Sequence, residues 1–334
     1  MKAIALLSGG LDSTLAARLI LDQGIDLEAI NFITLFCTCT SKESSCLASQ
    51  KAVESLRIPL KIFNVSQEFL EVVRHPKHGY GSNLNPCIDC RIFMLRKAKA
   101  YMEASGASFI VTGEVLGQRP MSQRRETMRL IEKEAGLEGF ILRPLSAKFL
   151  PITIPEKEGW VDREKLLNIQ GRSRKTQIQL AEQLGIRDYP CPAGGCLLTD
   201  PGFSKRLKDL MTHHPEFTLH DVHLLKFGRH FRLSPEVKLI VGRNEEENQK
   251  IRTFAQKGDV LLKLSSLPGP LSLLRGNAKP DEIEKAAAIT VRYSKGKGKR
   301  QVEVSWKIMG EEEGHPLFVS SLSEEEIEKY MIGG

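Results

Sequence analysis

The sequence predicts an α/β protein, in which a doubly wound parallel sheet is followed by a smaller α+β domain. Three observations support this prediction. Short apolar runs alternate with longer amphipathic stretches over roughly the first 150 residues, which is typical of a parallel sheet covered by helices. The mixed pattern that follows lacks this alternation. The chain has 334 residues, enough for two hydrophobic cores.

The first domain is predicted over residues 1–150. Its first strand is the run KAIALL, and a helix follows from Ser13. Later strand-like runs are LEAINFITLF, LKIFNV, SFIVTG and FILRPL, separated by stretches with helical periodicity. Glycines 24 and 106 lie where helix C-caps belong, and Ser66 is predicted to be an N-cap.

Two more segments are predicted after the first domain. Residues 151–201 are predicted to connect the domains, and residues 202–334 to form the α+β domain with an acidic tail. Between residues 201 and 310 there are 21 Lys and Arg against 12 Asp and Glu, a balance of +9, whereas the last 24 residues contain seven Glu and one Lys. A basic body suits a polyanion such as RNA, and a solvated charged surface is the alternative.

The composition argues against a membrane-spanning or disulfide-stapled protein. No run approaches the roughly 18 apolar residues of a membrane span, and the residues before Ser8 are too few for a secretory leader. We therefore expect a cytoplasmic protein with no membrane partner. Seven cysteines are an odd number, and they lie mostly in clusters, which favours metal or sulfur chemistry over a disulfide framework.

The first strand ends in SGGLDS, which predicts a phosphate site. Glycines let the backbone approach a phosphate, small hydroxyls donate hydrogen bonds, and a helix N-terminus is positive. Asp12 would repel phosphate unless Mg²⁺ lies between them. An ordinary strand-to-helix turn is the alternative. The predicted phosphate ligands are Ser8, Gly9, Gly10, Asp12, Ser13 and Thr14.

The sequence SGGLDS lacks the Lys of a Walker motif and resembles the PP-loop of the N-type ATP pyrophosphatases. This resemblance implies cleavage of ATP between the α and β phosphates while a substrate oxygen attacks the α-phosphorus. It therefore implies an enzyme that forms an adenylate, with ATP and Mg²⁺ as cofactors and Asp12 as a catalytic residue.

Three cysteines are candidates for the second half of the reaction. Cys87 and Cys90 in NPCIDC have a spacing that lets two thiolates bind one metal or cluster, and Cys196 offers a distant third. Two interpretations stay open: a [4Fe–4S] cluster whose unligated iron binds sulfide, or a persulfide relay between thiols. Buried apolar thiols or a structural zinc site are the alternatives.

The other cysteines have weaker predictions. A separate zinc site formed by Cys37, Cys39 and Cys46 would lack an adjacent fourth ligand. Cys191 competes with Cys196 to complete the trio. We prefer Cys196, because the two glycines before it allow a close approach of the backbone.

The motif NPCIDCR is similar to the cysteine motif of the tRNA 2-thiouridylases, whereas TGEVLGQRPMSQ, LRPL and GRSRKTQ resemble the PP-loop half of the tRNA 4-thiouridine synthetases. Both families adenylate a uridine carbonyl oxygen and replace it with sulfur. The resemblance implies that Cys87 and Cys196, joined by Cys90, react or bind a cluster. It also implies tRNA as the substrate and a cysteine desulfurase or free sulfide as the sulfur donor. The residues implied to line the adenylate pocket are Gly113, Glu114 and Gln118.

The 4-thiouridine synthetases carry RNA-binding modules ahead of their PP-loop, and we expect this chain to hold RNA elsewhere. VGRNEEEN, LLRG and AAAITVRYSKGKGK resemble the RNA-binding domain of the NFACT proteins, over roughly residues 235–308. Tyr293 is predicted to stack on a base. The predicted RNA-contacting residues are Arg172, Arg174, Lys175, Arg275, Arg292, Lys295, Lys297 and Lys299.

Together these motifs predict an ATP-dependent tRNA sulfurtransferase that makes 4-thio- or 2-thiouridine, with no prediction of oligomeric state. One alternative is a PP-loop enzyme that adenylates a small molecule, in which the basic C-terminal domain would have no clear purpose. Another is a non-catalytic, RNA- or ribosome-associated nucleotide-binding protein. The intact SGGLDS motif argues against this second alternative.

Overall fold

The computed structural model of the chain describes residues 1–37, 45–187, 189 and 195–333, with the backbone alone for residues 45–47. It divides into two compact units, Met1–Thr199 and Asp200–Gly334. Across the described ranges, no helix combines the length and the apolar character needed to cross a membrane.

The first unit is built on a five-stranded sheet. Its strands are β1 (Lys2–Leu6), β2 (Asp26–Ile33), β3 (Leu60–Asn64), β4 (Phe109–Thr112) and β5 (Ile141–Leu142). They lie in the order β3-β2-β1-β4-β5, and every neighbouring pair is parallel. The strand order reverses direction at β1, so β1 and β4 flank the crevice where α/β sheets bind ligands.

Helices cover both faces of this sheet, which confirms the doubly wound arrangement. They are α1 (Leu11–Leu21), α2 (Ser45–Leu56), α3 (Ser66–Arg74), α4 (Cys87–Ala104), α5 (Arg125–Ala135), α6 (Ile154–Lys157) and α7 (Lys175–Gln183). Successive residues of a strand point to opposite faces. Accordingly Ala5 packs in a core with Leu15 of α1, whereas Ile4 packs in a second core with Leu95 of α4.

The described part of residues 151–199 packs onto the first unit. The buried core that contains Ala3 and Ala5 of β1 also contains Val161, Leu166 and Ala181. Thr153 and Glu156 form a capping box that starts α6. Because these residues contribute to the core, the compact unit runs on to Thr199.

Two local predictions about helix ends have different outcomes. Gly106 has φ +68° directly after the C-cap of α4, as the sequence predicts for a helix end. The N-cap prediction for Ser66 is wrong by one residue, since Val65 occupies that position and the Ser66 hydroxyl donates to Asn64 Oδ1 at 2.7 Å.

The second unit is α+β, as predicted, with a seven-stranded sheet. Its strands are β6 (Arg229–Ser234), β7 (Val237–Val241), β8 (Val260–Leu264), β9 (Ser272–Arg275), β10 (Val302–Ile308), β11 (His315–Val319) and β12 (Met331–Ile332). They lie in the order β11-β10-β8-β9-β7-β6-β12, and all pairs are antiparallel.

The helices of the second unit are α8 (Pro201–His213), α9 (Leu219–Leu224), α10 (Glu245–Thr253), α11 (Pro280–Arg292) and α12 (Glu324–Glu328). Ala286 and Ile289 of α11 are fully buried and pack in one core with Leu239 of β7 and Leu262 of β8. Three of these helices have side-chain caps: Asp200 Oδ1 accepts from Phe203 N at 2.6 Å, and Asn244 and Ser323 cap α10 and α12.

A buried histidine makes the stability of the second unit depend on pH. His230 is 1% exposed, its Nε2 lies 2.7 Å from the carbonyl oxygen of Phe227, and its Nδ1 has no hydrogen-bond partner in the described residues. Burial, followed by the charges of Lys238 and Arg206, holds the pKa of His230 well below its usual range. The native state therefore keeps this imidazole neutral as the unfolded chain begins to protonate.

We expect this difference to weaken the second unit as the pH falls from 7 to 5. The unfolded state gains a proton below its pKa of about 6.5, and the slope approaches about 1.4 kcal/mol per pH unit for one proton. Urea unfolding, monitored by the fluorescence of Trp306, should show that His230→Gln removes this pH dependence of the free energy of unfolding. His214→Gln, at an exposed position, should keep the wild-type slope. Equal slopes for all three proteins would contradict the assignment.

Candidate active site

The turn between β1 and α1 brings the predicted phosphate ligands together. Gly9 has φ +76°, and a Cβ there would lie 2.3 Å from the carbonyl carbon of Ala48 in α2. Gly10 is the N-cap of α1 and offers no capping side chain. The hydroxyls of Ser8 and Ser13 lie 3.3 Å apart beside this helix end. An uncapped helix N-terminus flanked by hydroxyls is suited to an anion.

The side chains of two predicted phosphate ligands form hydrogen bonds within the turn itself. The hydroxyls of Ser13 and Thr14 donate to the carbonyl oxygen of Gly10, at 2.9 and 3.1 Å. Thr14 is 2% exposed, and its hydroxyl stabilises the turn. Ser13 keeps part of its surface exposed. The phosphate contacts of both residues stay predictions.

Asp12 has one carboxylate oxygen without a partner. Its Oδ2 accepts from Gln118 Nε2 at 3.1 Å, whereas its Oδ1 is buried and has no hydrogen-bond partner among the described residues. A buried carboxylate oxygen without a donor is a position that a hard cation can fill. The residues here therefore fit the predicted Mg²⁺, which Asp12 would hold.

Gly113 brings the end of β4 against the first turn of α1. A Cβ on Gly113 would lie 2.4 Å from Ser13 N and 2.5 Å from the carbonyl carbon of Asp12. Only glycine fits this distance. The close approach places the following loop, which carries Gln118, over Asp12.

Glu114 is buried in an ion-pair network. It is 4% exposed; one oxygen lies 2.9 Å from Arg143 Nε and the other 3.5 Å from Arg91 Nε. Arg143 also binds Glu132. Burial alone would raise the pKa of Glu114, but Arg143 and then Arg91 outweigh burial and hold the pKa below its usual value. Both oxygens thus face arginines, and Glu114 anchors Arg91. Its place in the lining of the adenylate pocket stays a prediction.

Arg119 connects the phosphate turn to the cysteines. Its guanidinium interacts electrostatically with Asp12 and Cys87. Burial raises the pKa of the Cys87 thiol, and Arg119 and Arg91 offset part of that increase. Neither arginine was predicted, although each directly follows a predicted residue, Gln118 or Cys90, in the sequence.

The structure brings the three predicted cysteines together and adds a fourth. Cys87 and Cys90 lie in the first turn of α4, and Cys196 forms an isolated antiparallel bridge with Cys37. Burial raises the pKa of Cys90 to about 11 and that of Cys196 to about 12, and the other thiols, Cys37 included, add to both increases. Thr34 N and Thr34 Oγ1 each lie 3.4 Å from Cys37 Sγ.

Among the residues that the structure describes, no group of three or more His, Cys, Asp or Glu side chains is arranged to hold a metal ion. Cys39, Cys191 and the side chain of Cys46 lie outside the described part of the chain, so the predicted alternatives that involve them lie there too.

The predicted basic segment of the first unit, which carries Arg172, Arg174 and Lys175, lies beside the loop that carries Gln118. Gly171 N donates to the carbonyl oxygen of Leu116 at 2.7 Å, which brings this segment alongside the loop that carries Gln118. Arg172 and Lys175 are exposed. Arg174 is half-buried, and its Nε has no hydrogen-bond partner in the described residues.

The predicted RNA-contacting residues of the second unit divide into exposed and engaged side chains. Lys295, Lys297 and Lys299 are exposed in the turn after α11, and none forms an ion pair with a described side chain. Arg292 Nη2 lies 3.0 Å from Glu324 Oε2, and the Arg292 side chain is 15% exposed. The three lysines are therefore the accessible part of the predicted basic surface.

Two of the predicted RNA-contacting side chains have partners within the second unit. Arg275 forms ion pairs with Asp221 at 2.8 Å and Asp259 at 2.7 Å and donates to the carbonyl oxygen of Phe254. Tyr293 is half-buried, with the Arg229 guanidinium 4.5 Å from its ring centroid. Their contacts with RNA stay predictions.

Comparisons with known proteins support the two resemblances found in the sequence. Residues 1–148 match the family described as thiamine biosynthesis protein (ThiI), and residues 228–331 match the NFACT protein RNA binding domain. The first unit resembles the tRNA sulfurtransferases. Both predicted resemblances are therefore confirmed.

The related tRNA sulfurtransferases are longer than the region they share with this chain. The probable tRNA sulfurtransferase of Ureaplasma parvum serovar 3 is 34% identical over 151 residues, which are 44% of this chain and 37% of the relative. That of Lysinibacillus sphaericus is 33% identical over 162 residues, 47% and 38% of the two chains. The match thus spans about two-fifths of these relatives. A 4-thiouridine synthetase–RNA complex with bound ATP shares 25% identity at a TM-score of 0.37, covering 55% of this chain and 51% of that chain.

Proposed function

We propose that the chain is an ATP-dependent tRNA sulfurtransferase, which adenylates a uridine carbonyl oxygen and replaces it with sulfur to give 4-thio- or 2-thiouridine. One observation carries the proposal: Gly113 packs against the first turn of α1, and the adjacent Glu114 lies 3.5 Å from Nε of Arg91, which directly follows Cys90 in α4. We infer that the phosphate turn and these thiols belong to one site. The matches of residues 1–148 and 228–331 to a sulfurtransferase-related family and an RNA-binding domain support the same function.

The phosphate turn would carry out the first half-reaction. The N–H groups at the start of α1 and the Ser8 hydroxyl bind the pyrophosphate end of ATP, while the uridine oxygen attacks the α-phosphorus. Asp12 would hold Mg²⁺, which would supply positive charge to neutralise the phosphates. Gln118 fixes the Asp12 carboxylate, and Arg119 stabilises negative charge on the α-phosphate. Pyrophosphate then leaves from the turn.

The thiols would carry out the second half-reaction. Sulfur held as a persulfide on Cys87 attacks the adenylated carbon and displaces AMP. Cys196 is the reacting partner of Cys87, and Cys90 lies beside them in α4. A [4Fe–4S] cluster or zinc on Cys87, Cys90 and Cys196 is the alternative to this relay, and iron and sulfide analysis of the anaerobically purified protein distinguishes them. A cysteine desulfurase would transfer persulfide-level sulfur to Cys87, in the cytoplasm where thiols stay reduced. Free sulfide, the other predicted donor, would serve only the cluster alternative, because it cannot convert a thiol to a persulfide without an oxidant.

The proposed reaction predicts different effects for the two halves of the site. With ATP, Mg²⁺, sodium polysulfide as the persulfide donor and unmodified tRNA, we expect pyrophosphate release that depends on tRNA, and thiouridine detectable by nucleoside mass spectrometry. Asp12→Asn should lower both by about 100-fold or more. Cys87→Ser should abolish thiouridine and retain pyrophosphate release, whereas Cys46→Ser should behave as wild type.

Two outcomes would contradict this proposal. Pyrophosphate release driven by a metabolite in the absence of RNA would favour the small-molecule alternative. Thiouridine formation by Cys87→Ser at the wild-type rate would remove the thiol from the mechanism.

The lysine turn after α11 should contribute to tRNA affinity. A lysine that binds one phosphate adds about 0.7–0.9 to the steepness with which log K falls as log salt rises. Replacing Lys295, Lys297 and Lys299 with Ala should therefore reduce the slope by about 2 to 3. Filter binding between 50 and 200 mM salt measures this slope. Lys285→Ala is the control, since Lys285 Nζ lies 3.1 Å from Asp281 Oδ2. An unchanged slope in the triple variant would place the RNA elsewhere.

A further inference from the structure

Cys37 lies directly opposite Cys196 across an antiparallel bridge. Leu197 N donates to the carbonyl oxygen of Phe36 at 2.8 Å, which makes the two cysteines a non-hydrogen-bonded pair. In such pairs the Cα atoms are about 4.5 Å apart and the side chains lie on one face. A disulfide needs Cα atoms roughly 4.4–6.8 Å apart. The backbone therefore suits a Cys37–Cys196 disulfide.

The segment that follows Cys196 is held next to the segment that precedes Cys87. Leu84 N donates to the carbonyl oxygen of Leu198 at 3.2 Å, and Asn83 Nδ2 donates to that of Thr199 at 2.8 Å. The four cysteines are half-buried. Cys196 therefore adjoins Cys37 across the bridge and the start of α4, which carries Cys87.

We propose that Cys37 is the resolving thiol of this site, forming a cross-strand disulfide with Cys196 that releases Cys87 after each sulfur transfer. This inference rests on the proposed function.

The proposed exchange conserves atoms and electrons. The Cys87 persulfide forms a C–S bond to the adenylated carbon, and AMP leaves. The Cys196 thiolate then attacks Cys87 Sγ, so that the Cys87–sulfur bond breaks, thiouridine leaves and a Cys87–Cys196 disulfide forms. Cys37 attacks Cys196 Sγ, giving the Cys37–Cys196 disulfide and the Cys87 thiol. A thiol reductant, of small-molecule or protein origin, returns the pair to two thiols.

Peptide mapping of the full chain tests the disulfide without RNA. Persulfide formed with sodium polysulfide, after removal of excess reagent, should release sulfide and leave the chain oxidised. Trypsin keeps Cys37 with Cys39 in residues 19–42, Cys87 with Cys90 in residues 78–91, and Cys191 with Cys196 in residues 188–205. Serine variants are therefore needed to assign each linkage.

The wild type should give the linkage of peptides 19–42 and 188–205. Cys37→Ser should lose it at least 10-fold and accumulate the linkage of peptides 78–91 and 188–205 instead. Cys39→Ser and Cys191→Ser are matched controls two and five residues away, and both should behave as wild type. Loss of the linkage in either control, with retention in Cys37→Ser, would overturn the proposal.

A second measurement separates this inference from the proposed function. Cys37→Ser should form one equivalent of thiouridine at the wild-type rate in a single turnover, but slow at least 10-fold over many turnovers. If the disulfides form as expected but no thiouridine is made, the tRNA reaction is refuted and the Cys37–Cys196 disulfide stands. Thiouridine with equal turnover in both proteins would refute the role of Cys37. Four irons and acid-labile sulfide per chain after anaerobic purification, lost in Cys196→Ser, would also refute it.

Discussion

Alanine at Gly9 is expected to lower tRNA-dependent pyrophosphate release by about 100-fold or more. Its Cβ would lie 2.3 Å from the carbonyl carbon of Ala48 and 2.5 Å from Ser49 N, both in the backbone of α2. Neither atom is the end of a flexible side chain, so the phosphate turn or α2 must shift. A displacement of about 1 Å at a reacting centre costs roughly 100-fold in rate.

Gly24→Ala separates this clash from backbone strain. Gly24 has φ +77°, almost the same as the +76° of Gly9, but no heavy atom lies within 4 Å of a Cβ built on it. Alanine there should cost about 1–2 kcal/mol in stability from the left-handed conformation alone and leave the rate within about twofold. Similar rate losses in both variants would attribute the Gly9 effect to strain. A wild-type rate and ATP affinity for Gly9→Ala, measured by isothermal titration, would show that the turn does not hold the nucleotide.

Local patterns in the sequence were sufficient to predict the first sheet and the phosphate turn. SGGLDS follows the first apolar run directly, and alternating strands and helices allow few other topologies. Arg91, Arg119 and Cys37 were harder to predict, because their roles arise from tertiary contacts. Cys37 meets Cys196 across 159 positions of sequence, and no spacing rule connects residues from two separate loops.

The pattern of basic residues in the sequence also does not show which of them are exposed. Arg275 and Lys297 are equivalent as basic residues in the sequence, but the fold pairs Arg275 with two aspartates and leaves Lys297 exposed. Ion pairing between distant elements is invisible to a count of basic residues. Glu114 shows the same effect in the first unit, where two arginines distant in sequence occupy the carboxylate.

Replacing Arg143 with Met is expected to lower the free energy of unfolding of the first unit by about 3–5 kcal/mol. Arg143 is 4% exposed and binds both Glu114, also 4% exposed, and Glu132, whose side chain is 17% exposed. Removing one partner of a buried ion pair leaves an uncompensated charge, and this accounts for the large cost. Methionine retains much of the apolar volume, so the loss of charge dominates the effect.

Tryptophan fluorescence can measure this loss of stability in the first unit alone. It has two tryptophans, Trp160 in the first unit and Trp306 in the second, so Trp160 fluorescence in a Trp306→Phe background follows the first unit by itself. Arg18→Met is the matched control, because Arg18 pairs with Asp22 at 2.7 Å with both side chains about 40% exposed; it should cost less than about 1 kcal/mol. Adding Glu114→Gln to Arg143→Met should recover part of the loss, since the buried carboxylate is then neutral. If Arg143→Met alone unfolds within about 1 kcal/mol of the wild type, the network does not hold the loop that carries Gln118 and Arg119, and those residues need another support.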